Sequence, residues 1–256
     1  MSVGAALWSI LLTLFVFAVA APLVTALERV LPELRMPSHI PWHRRTTDVA
    51  YLAVQLIVAP TLGVLVWSSA GSVAQHGVGT HALTGVPWPL QAAGAFVAAE
   101  LAAYGVHRAA HRVSGLWRLH VLHHAPVGLD WLSGFRFHPL DAVMEQSIPI
   151  VVAAWLGFPP ASIAVWAVVA TVVILYAHAN IDVPDTWLSR VIVTPRYHRS
   201  HHERSRSGVN YAVVLPCVDL LFGTASFDFG ERDFGSATDM PARGLLRQIR
   251  WSFLTG

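Results

Sequence analysis

Two short stretches, LWRLHVLHHAP at residues 116–126 and PRYHRSHHERS at residues 195–205, repeat one histidine spacing. Each carries three histidines in the order H-x-x-H-H, at the positions His120, His123, His124, His198, His201 and His202. With 14 histidines among 256 residues, random placement would give roughly a few hundredths of one such motif. The repeated motif therefore calls for a chemical explanation.

That explanation is metal binding. On a helix, residues three and four positions apart face the same way, so each motif can present its imidazoles on one side. His107 and His111 form a third segment of this kind, which brings the total to eight histidines. Because one tetrahedral zinc ion takes four ligands, the segments predict a site for two metal ions. Imidazole accepts iron, zinc, copper or nickel. His178 and His138 are further candidates, either as ligands or as hydrogen-bond partners of ligands.

The composition indicates a membrane protein. The chain is 54% hydrophobic and 12% charged, whereas a soluble domain has about 25% charged residues. Its single cysteine, Cys217, excludes an internal disulfide and a cysteine-rich zinc module.

Apolar segments long enough to cross about 30 Å of hydrocarbon determine the predicted fold. Spans are predicted at 4–26, 49–69 and 88–106, followed by an apolar hairpin at 147–157 and 160–177 that is broken by the prolines of GFPP. The first 27 residues have no charged side chain, which favours a membrane anchor over a cleaved signal peptide. The predicted fold class is all-α, with a multi-pass helical membrane stem and a cytosolic histidine-rich helical cap that holds a dimetal site.

The arginines predict the orientation of these spans. The loop 70–87 has no charged residue, whereas the loop 28–47 contains Arg29, Arg35, Arg44 and Arg45. An outer N-terminus then places loop 28–47 and the paired histidines on the cytoplasmic face.

The end of the chain, residues 241–255, has an amphipathic pattern. One helical face would carry Leu245, Leu246, Ile249 and Phe253, and the opposite face Arg243, Arg247 and Arg250. This pattern predicts either a helix lying in the membrane interface or a helix packed on the cytosolic cap.

Four further residues are candidate supports for the metal site. Glu100 lies within an apolar span, where a carboxylate is costly and usually functional. It precedes Tyr104, His107 and His111 on one helical face, so we expect it to accept a hydrogen bond from an imidazole N–H and to orient that ring. Asn180 and Asp182 follow His178 in the sequence HANID, where Asp182 is also a candidate oxygen ligand.

These residues resemble the fatty acid hydroxylase/sterol desaturase superfamily of membrane non-haem di-iron oxygenases. The superfamily signature H-x-x-x-H, H-x-x-H-H, H-x-x-H-H matches the three histidine segments. The flanking sequences AELAAYGVHRAAH, FRFHPLD, HANID, TPRYHRSHH, VNYA and DLLFGT follow in the superfamily's order. This chain departs at Ala212, where the superfamily often has glycine, and at Asp182, where some relatives have a further histidine.

The resemblance covers about residues 95–225 and implies three regions. Residues 1–94 would form the N-terminal spans and loops, residues 95–225 the catalytic domain including the hairpin 141–177, and residues 226–256 a C-terminal tail.

The resemblance also implies an enzyme that holds two iron ions and uses O₂ as co-substrate. It would hydroxylate or desaturate an unactivated C–H position of a lipid, such as a fatty acyl chain, a sterol-like ring, a carotenoid or an ether lipid. The sequence has no flavin, haem or Cys-x-x-Cys motif, so we expect electrons from a separate reductase, ferredoxin or cytochrome b5-like protein.

Two other classes of function are less consistent with the sequence. A membrane zinc hydrolase would need fewer histidines and a base motif such as H-E-x-x-H, which the chain lacks. A non-catalytic metal or haem protein would place paired histidines in mid-membrane, whereas these lie near span ends. Nothing in the sequence predicts nucleic-acid binding.

Overall fold

The computed structural model describes residues 3–32, 42–78, 83, 85–184, 186–206, 208–228, 233–235, 240–241 and 244–254. These residues form nine α-helices: α1 (Val3–Val30), α2 (Trp42–Gln75), α3 (Trp88–Arg112), α4 (Ser114–His124), α5 (Pro139–Trp155), α6 (Pro160–His178), α7 (Pro195–His202), α8 (Pro216–Phe222) and α9 (Leu245–Leu254). Short 3-10 turns lie at Ser133–Phe135, Trp187–Arg190 and Arg204–Arg206. Within the described ranges β pairing is limited to one isolated bridge between Glu203 and Phe234. The all-α prediction is confirmed for this part of the chain.

Proline fixes the start of three helices around the histidines. Pro139, Pro160 and Pro195 lie in the first turn of α5, α6 and α7, where a missing N–H costs no intrahelical hydrogen bond. The Thr194 hydroxyl also caps α7, accepting from the backbone N–H of Tyr197 at 3.3 Å. Local sequence thus determines where the histidine helix α7 begins.

Helices α5 and α6 form a hairpin that packs against the other long helices. The chain turns through Gly157, whose φ of +92° favours glycine. Helix α5 contacts α2 and α3, and α6 contacts α1 and α3. Small buried residues let these helices approach closely, and they include Ala95, Ala99, Ala103, Ala153, Ala154, Ala170 and Ala177.

Helices α3 and α6 run in the same direction, which places their carboxyl ends together. Near their amino ends, the Phe158 ring lies against Gly94. At their carboxyl ends, α3 carries His107 and His111, and α6 ends at His178. The parallel arrangement therefore brings histidines from two separate helices to one end of the bundle.

One described helix, Pro160–His178, is long and apolar enough to cross a membrane, with a mean hydropathy of 2.1. The other predicted spans, 4–26, 49–69 and 88–106, fall inside α1, α2 and α3. Arg35, one of the arginines behind the predicted orientation, lies outside the described residues.

The predicted start of the catalytic region does not coincide with a boundary between helices. The boundary between residues 94 and 95 falls inside α3, so it separates no structural units.

In the tail, α9 packs against α4 and α2, burying Gln248 and Ser252. It leaves Leu246, Phe253 and Leu254 exposed. The tail helix thus combines packing on α4 and α2 with an exposed apolar side. Arg243 lies outside the described residues.

Candidate metal centre

Histidines from α3, α4, α6 and α7 lie in two adjoining groups. The five-histidine group consists of His107, His111, His120, His124 and His201, and the four-histidine group of His123, His178, His198 and His202. Within each group the candidate ligand atoms lie within 4.8 Å of one another. The ring centroids of His124 and His202, one from each group, are 4.2 Å apart. Each group therefore offers at least the four nitrogens of a tetrahedral metal site.

In the four-histidine group, Nε2 atoms face one another. The Nε2 of His178 lies 3.1 Å from that of His123 and 3.0 Å from that of His198. The Nε2 of His202 lies 3.1 Å from that of His198. The Nδ1 of His178 donates to the Ile174 carbonyl at 2.9 Å, which leaves a lone pair on its Nε2. Lone pairs that converge in this way fit a cation.

In the five-histidine group, oxygens of other segments hold the Nδ1 side of three rings. His107 donates to the Tyr211 carbonyl at 2.8 Å, His120 to the Asp141 carboxylate at 2.9 Å and His201 to the Val209 carbonyl at 2.7 Å. A proton on Nδ1 leaves the Nε2 of each ring able to ligate. These Nε2 atoms are buried and have no hydrogen-bond partner among the described residues, and a bound metal ion would satisfy them.

The surroundings of the cluster favour the neutral form of its imidazoles over the protonated form. Burial, followed by the charge of neighbouring histidines, lowers the pKa of five rings well below the usual value: His123, His124, His198, His201 and His202. The same causes lower the pKa of His107 to about 3. Neutral imidazole is the form that binds metal, so the site is ready for ligation at neutral pH.

The Glu100 carboxylate accepts hydrogen bonds from groups other than the expected imidazole. Its carboxylate accepts from the Trp166 indole N–H at 2.9 Å and from the backbone N–H groups of Val214 and Leu215 at 2.7 and 2.9 Å. The expected contact with an imidazole N–H is not among these bonds. Glu100 instead ties α3 to α6 and to the segment that follows Tyr211, the residue whose carbonyl holds His107.

Among the described residues, the hydrogen-bond partners of the Tyr104 hydroxyl are not imidazole nitrogens. That hydroxyl lies 3.0 Å from the Thr224 hydroxyl and accepts from Arg108 at 3.0 Å. Its ring stacks on Phe222 with centroids 4.8 Å apart. Tyr104 thus joins α3 to α8.

Of the two candidates that follow His178, one is buried beside the site. The Asn180 side-chain oxygen accepts from Arg199 at 3.2 Å, and Arg199 also donates to the Ala179 carbonyl at 2.7 Å. These bonds link the end of α6 to α7. Asp182 is exposed and belongs to neither histidine group, so the structure does not support its suggested role as an oxygen ligand.

His138 lies at the start of α5, outside both groups. Its Nδ1 accepts from the backbone N–H of Leu140 at 3.1 Å, which is the geometry of a helix cap. Its ring contacts Phe253 of α9, with centroids 5.0 Å apart. Of the ten candidate ligands, His138 is thus the one that the fold does not bring into the cluster.

Three residues shape the site although the sequence pattern predicts no role for them. Asp141 accepts from His120. Asp219 accepts from the backbone N–H groups of Tyr211 and Ala212, both at 2.8 Å, and from the Tyr197 hydroxyl at 2.9 Å. The signals were present in FRFHPLD and DLLFGT, yet the spacing along the chain does not reveal which carboxylate faces which ring.

Gly134 is the third such residue. A Cβ at this position would lie 2.6 Å from Cγ of His178, closer than side chains pack in proteins. The absence of a side chain at residue 134 therefore makes room for a ring of the four-histidine group.

An apolar cavity of about 270 Å³ reaches both groups. Aliphatic and aromatic side chains of α1, α2, α5 and α6 form most of its wall, including Leu14, Phe17, Leu52, Ile150, Ala170 and Ile174. It is also lined by His107 and His120 of one group and by His123, His178 and His198 of the other. An elongated apolar molecule in this cavity would contact the histidine cluster directly.

The helical bundle, the paired imidazole groups and the adjoining apolar cavity define a metal-binding protein with room for a lipid-like ligand. The family model described as fatty acid hydroxylase matches residues 92–224. The chain belongs to the fatty acid hydroxylase family, within the fatty acid hydroxylase/sterol desaturase superfamily that its motifs resemble.

Curated relatives include an ornithine lipid hydroxylase of Rhizobium tropici, 30% identical over 240 residues that cover 86% of this chain and 71% of the relative. The alkylglycerol monooxygenase of Homo sapiens is 29% identical over 155 residues, 56% of this chain and 33% of the relative. That of Danio rerio is 28% identical over 139 residues, 51% of this chain and 29% of the relative. No solved structure matches the chain.

Proposed function

We propose that this chain is a membrane-bound, O₂-dependent oxygenase that hydroxylates a C–H position of a lipid. The observation that carries the proposal is the pair of buried imidazole groups at one wall of the apolar cavity. Membership of the fatty acid hydroxylase family and the names of the relatives, hydroxylase and monooxygenase, support it.

The two histidine groups would each hold one iron ion. Iron fits a donor set of imidazoles, and with O₂ and electrons it supplies the oxidising chemistry. The protein's own part is to position the groups. The hydrogen bonds on Nδ1 of His107, His120 and His201 keep their Nε2 atoms directed inward. The cavity wall holds the lipid chain and keeps bulk water away from the cluster.

The proposed membrane arrangement follows from the long helices. Helix α6 and the helices that contain spans 4–26, 49–69 and 88–106 would cross the bilayer, with the histidine cluster on the cytoplasmic face. The region 95–225 would be the catalytic part. Electrons would come from a separate reductase, ferredoxin or cytochrome b5-like protein on the same side.

Lipid profiling tests this function. Host cells that express the wild-type chain should contain a lipid heavier by one oxygen atom, and this lipid should disappear with His120→Ala. His76→Ala is a matched control, since His76 is exposed directly after the end of α2 and its Nδ1 bonds the Ser72 carbonyl of that helix. A product lighter by two hydrogen atoms would indicate desaturation instead. An identical lipid profile for wild type and His120→Ala, at equal protein levels, would refute the oxygenase.

A further inference from the structure

We propose that Gln55 and Glu145 form a polar recognition point inside the apolar cavity. It would select lipids that carry a neutral group able to donate and accept hydrogen bonds, such as a hydroxyl or an amide, close to the carbon that reacts. The inference rests on the proposed oxygenase function and specifies its substrate class.

Gln55 is a buried polar side chain with unused hydrogen-bonding groups. It lies on α2, lines the cavity and is 4% exposed. Neither its Nε2 nor its Oε1 has a hydrogen-bond partner among the described residues. A buried amide that stays unpaired is costly to the free protein. A ligand in the cavity that offers both a donor and an acceptor would remove that cost.

Glu145 is a second such side chain, on the opposing helix α5. It also lines the cavity, and its Oε1 is buried without a hydrogen-bond partner in the described part of the chain. Its carboxylate lies within 4.8 Å of ligand atoms of His120 and Asp141. A substrate group bound to Glu145 would therefore sit beside the histidine cluster.

The surroundings of Glu145 favour a substrate group over a metal ion. His120 uses its Nδ1 proton in the bond to Asp141 and directs its Nε2 toward the five-histidine group. It therefore has no nitrogen left for an ion shared with Glu145.

The charge of the cavity narrows the class of ligand. Among the described residues that line it there is no arginine, so no cationic side chain there would neutralise a free carboxylate or a phosphate. The wall thus suits a neutral polar group on an apolar chain, held by Gln55 and Glu145 while the chain lies along the apolar side chains of α1, α2 and α6.

Binding of two matched probes tests the proposal. Hexadecanol carries one hydroxyl, and hexadecane has the same chain without it. Dissociation constants are measured by equilibrium binding of isotope-labelled probes to the metal-loaded full chain in nanodiscs, without an electron donor. The informative quantity is the Kd of hexadecane divided by that of hexadecanol. Comparing this ratio between wild type and variants cancels the partition of each probe into the lipid.

Gln55→Met and Glu145→Met should each lower this ratio by about 10-fold, since each removes one buried hydrogen bond to the hydroxyl. Glu145→Gln keeps a hydrogen-bonding group and should stay within about 3-fold of wild type. Leu52→Ala, at an apolar position of the same wall, should weaken both probes equally and leave the ratio unchanged.

The thermal unfolding of each variant is recorded in parallel. Because Gln55→Met removes an unpaired buried amide, its Tm without ligand should equal or exceed that of wild type. A wild-type ratio in folded Gln55→Met and Glu145→Met would overturn the recognition point. The assay needs no turnover, so its result is independent of the lipid profiling that tests the oxygenase.

Discussion

The two histidine groups are held in different ways. In the five-histidine group, His107, His120 and His201 donate from Nδ1 to oxygens of other segments at 2.7–2.9 Å. In the four-histidine group, His178 donates to a carbonyl of its own helix. The buried Nδ1 atoms of His123 and His202 have no hydrogen-bond partner among the described residues.

Steric contacts take the place of hydrogen bonds in the four-histidine group. The His123 ring stacks on Phe137 with centroids 4.3 Å apart, and His178 lies against Gly134. Neighbouring sites built from one residue type can therefore depend on different forces. The five-histidine group should respond to changes in its hydrogen-bond acceptors, and the four-histidine group to changes in the shape of its surroundings.

Removal of one ligand should produce the largest difference between the groups. His202→Ala leaves three imidazoles in its group, and we expect the loss of about one metal ion per chain and of turnover. His111→Ala leaves four imidazoles and should retain both ions. Elemental analysis of the purified variants measures this directly. Equal metal loss in both variants would show that the five-histidine group has no spare ligand.

Acid should destabilise the metal-free protein strongly. The imidazoles with a lowered pKa in the folded chain include His107, His123, His124, His198, His201 and His202. In the unfolded chain a histidine binds its proton near pH 6.5. The unfolded state therefore binds more protons as the pH falls below that value, and each group costs about 1.4 kcal/mol per pH unit until its folded pKa is reached.

The stability that these neutral imidazoles contribute is thus fully present above about pH 6.5 and is lost progressively as the pH falls below that value. Tryptophan fluorescence during denaturant unfolding at a series of pH values, with and without metal, tests this dependence. The midpoint of the metal-free protein should fall steeply between about pH 6.5 and pH 5. A flat profile over that interval would contradict the burial of neutral rings in both groups.

A change of shape should affect the four-histidine group selectively. Gly134→Ala would place Cβ 2.6 Å from Cγ of His178, and we expect this overpacking to cost about 1–3 kcal/mol and to weaken metal binding in that group. Gly105→Ala is the matched control, because a Cβ there meets nothing within 4 Å. Metal titration and thermal unfolding of both variants measure the difference. Wild-type behaviour of Gly134→Ala would show that His178 can shift without consequence.

A change of the hydrogen-bond acceptor of His120 should have the smallest effect on metal binding, and this effect should be confined to the five-histidine group. Asp141→Asn keeps an oxygen that can accept from His120 but removes its charge. We expect the metal affinity of that group to fall by about 10-fold, with the four-histidine group unchanged. Competition with a chelator measures the metal affinity of the five-histidine group and that of the four-histidine group. A larger loss in the four-histidine group would reverse the comparison drawn above.

The local sequence pattern predicted which helices carry the histidines of the site. The doubled H-x-x-H-H motif and His107/His111 require only that residues three and four apart share a helix face. The helices α3, α4 and α7 carry these histidines as the spacing indicated. His178 joins them because α6 ends there, beside the carboxyl end of α3.

The partners of individual carboxylates could not be predicted in the same way. Glu100 shares a helix face with His107, yet it bonds Trp166 and the backbone of residues 214–215. Asp141 lies 21 residues after His120 and still accepts from it. Such contacts depend on how separate helices pack, and no spacing within one helix contains that information.

By itself the sequence determined the all-α class, the apolar helices and the histidines that can share a face, because these follow from periodicity and composition along a single segment. The division of the histidines into groups of five and four, the oxygens that orient them, and the positions of His138 and Asp182 outside both groups depend on the packing of separate helices. A metal site and a cavity are formed by side chains from several helices, whose relative positions are set by long-range contacts rather than by local geometry.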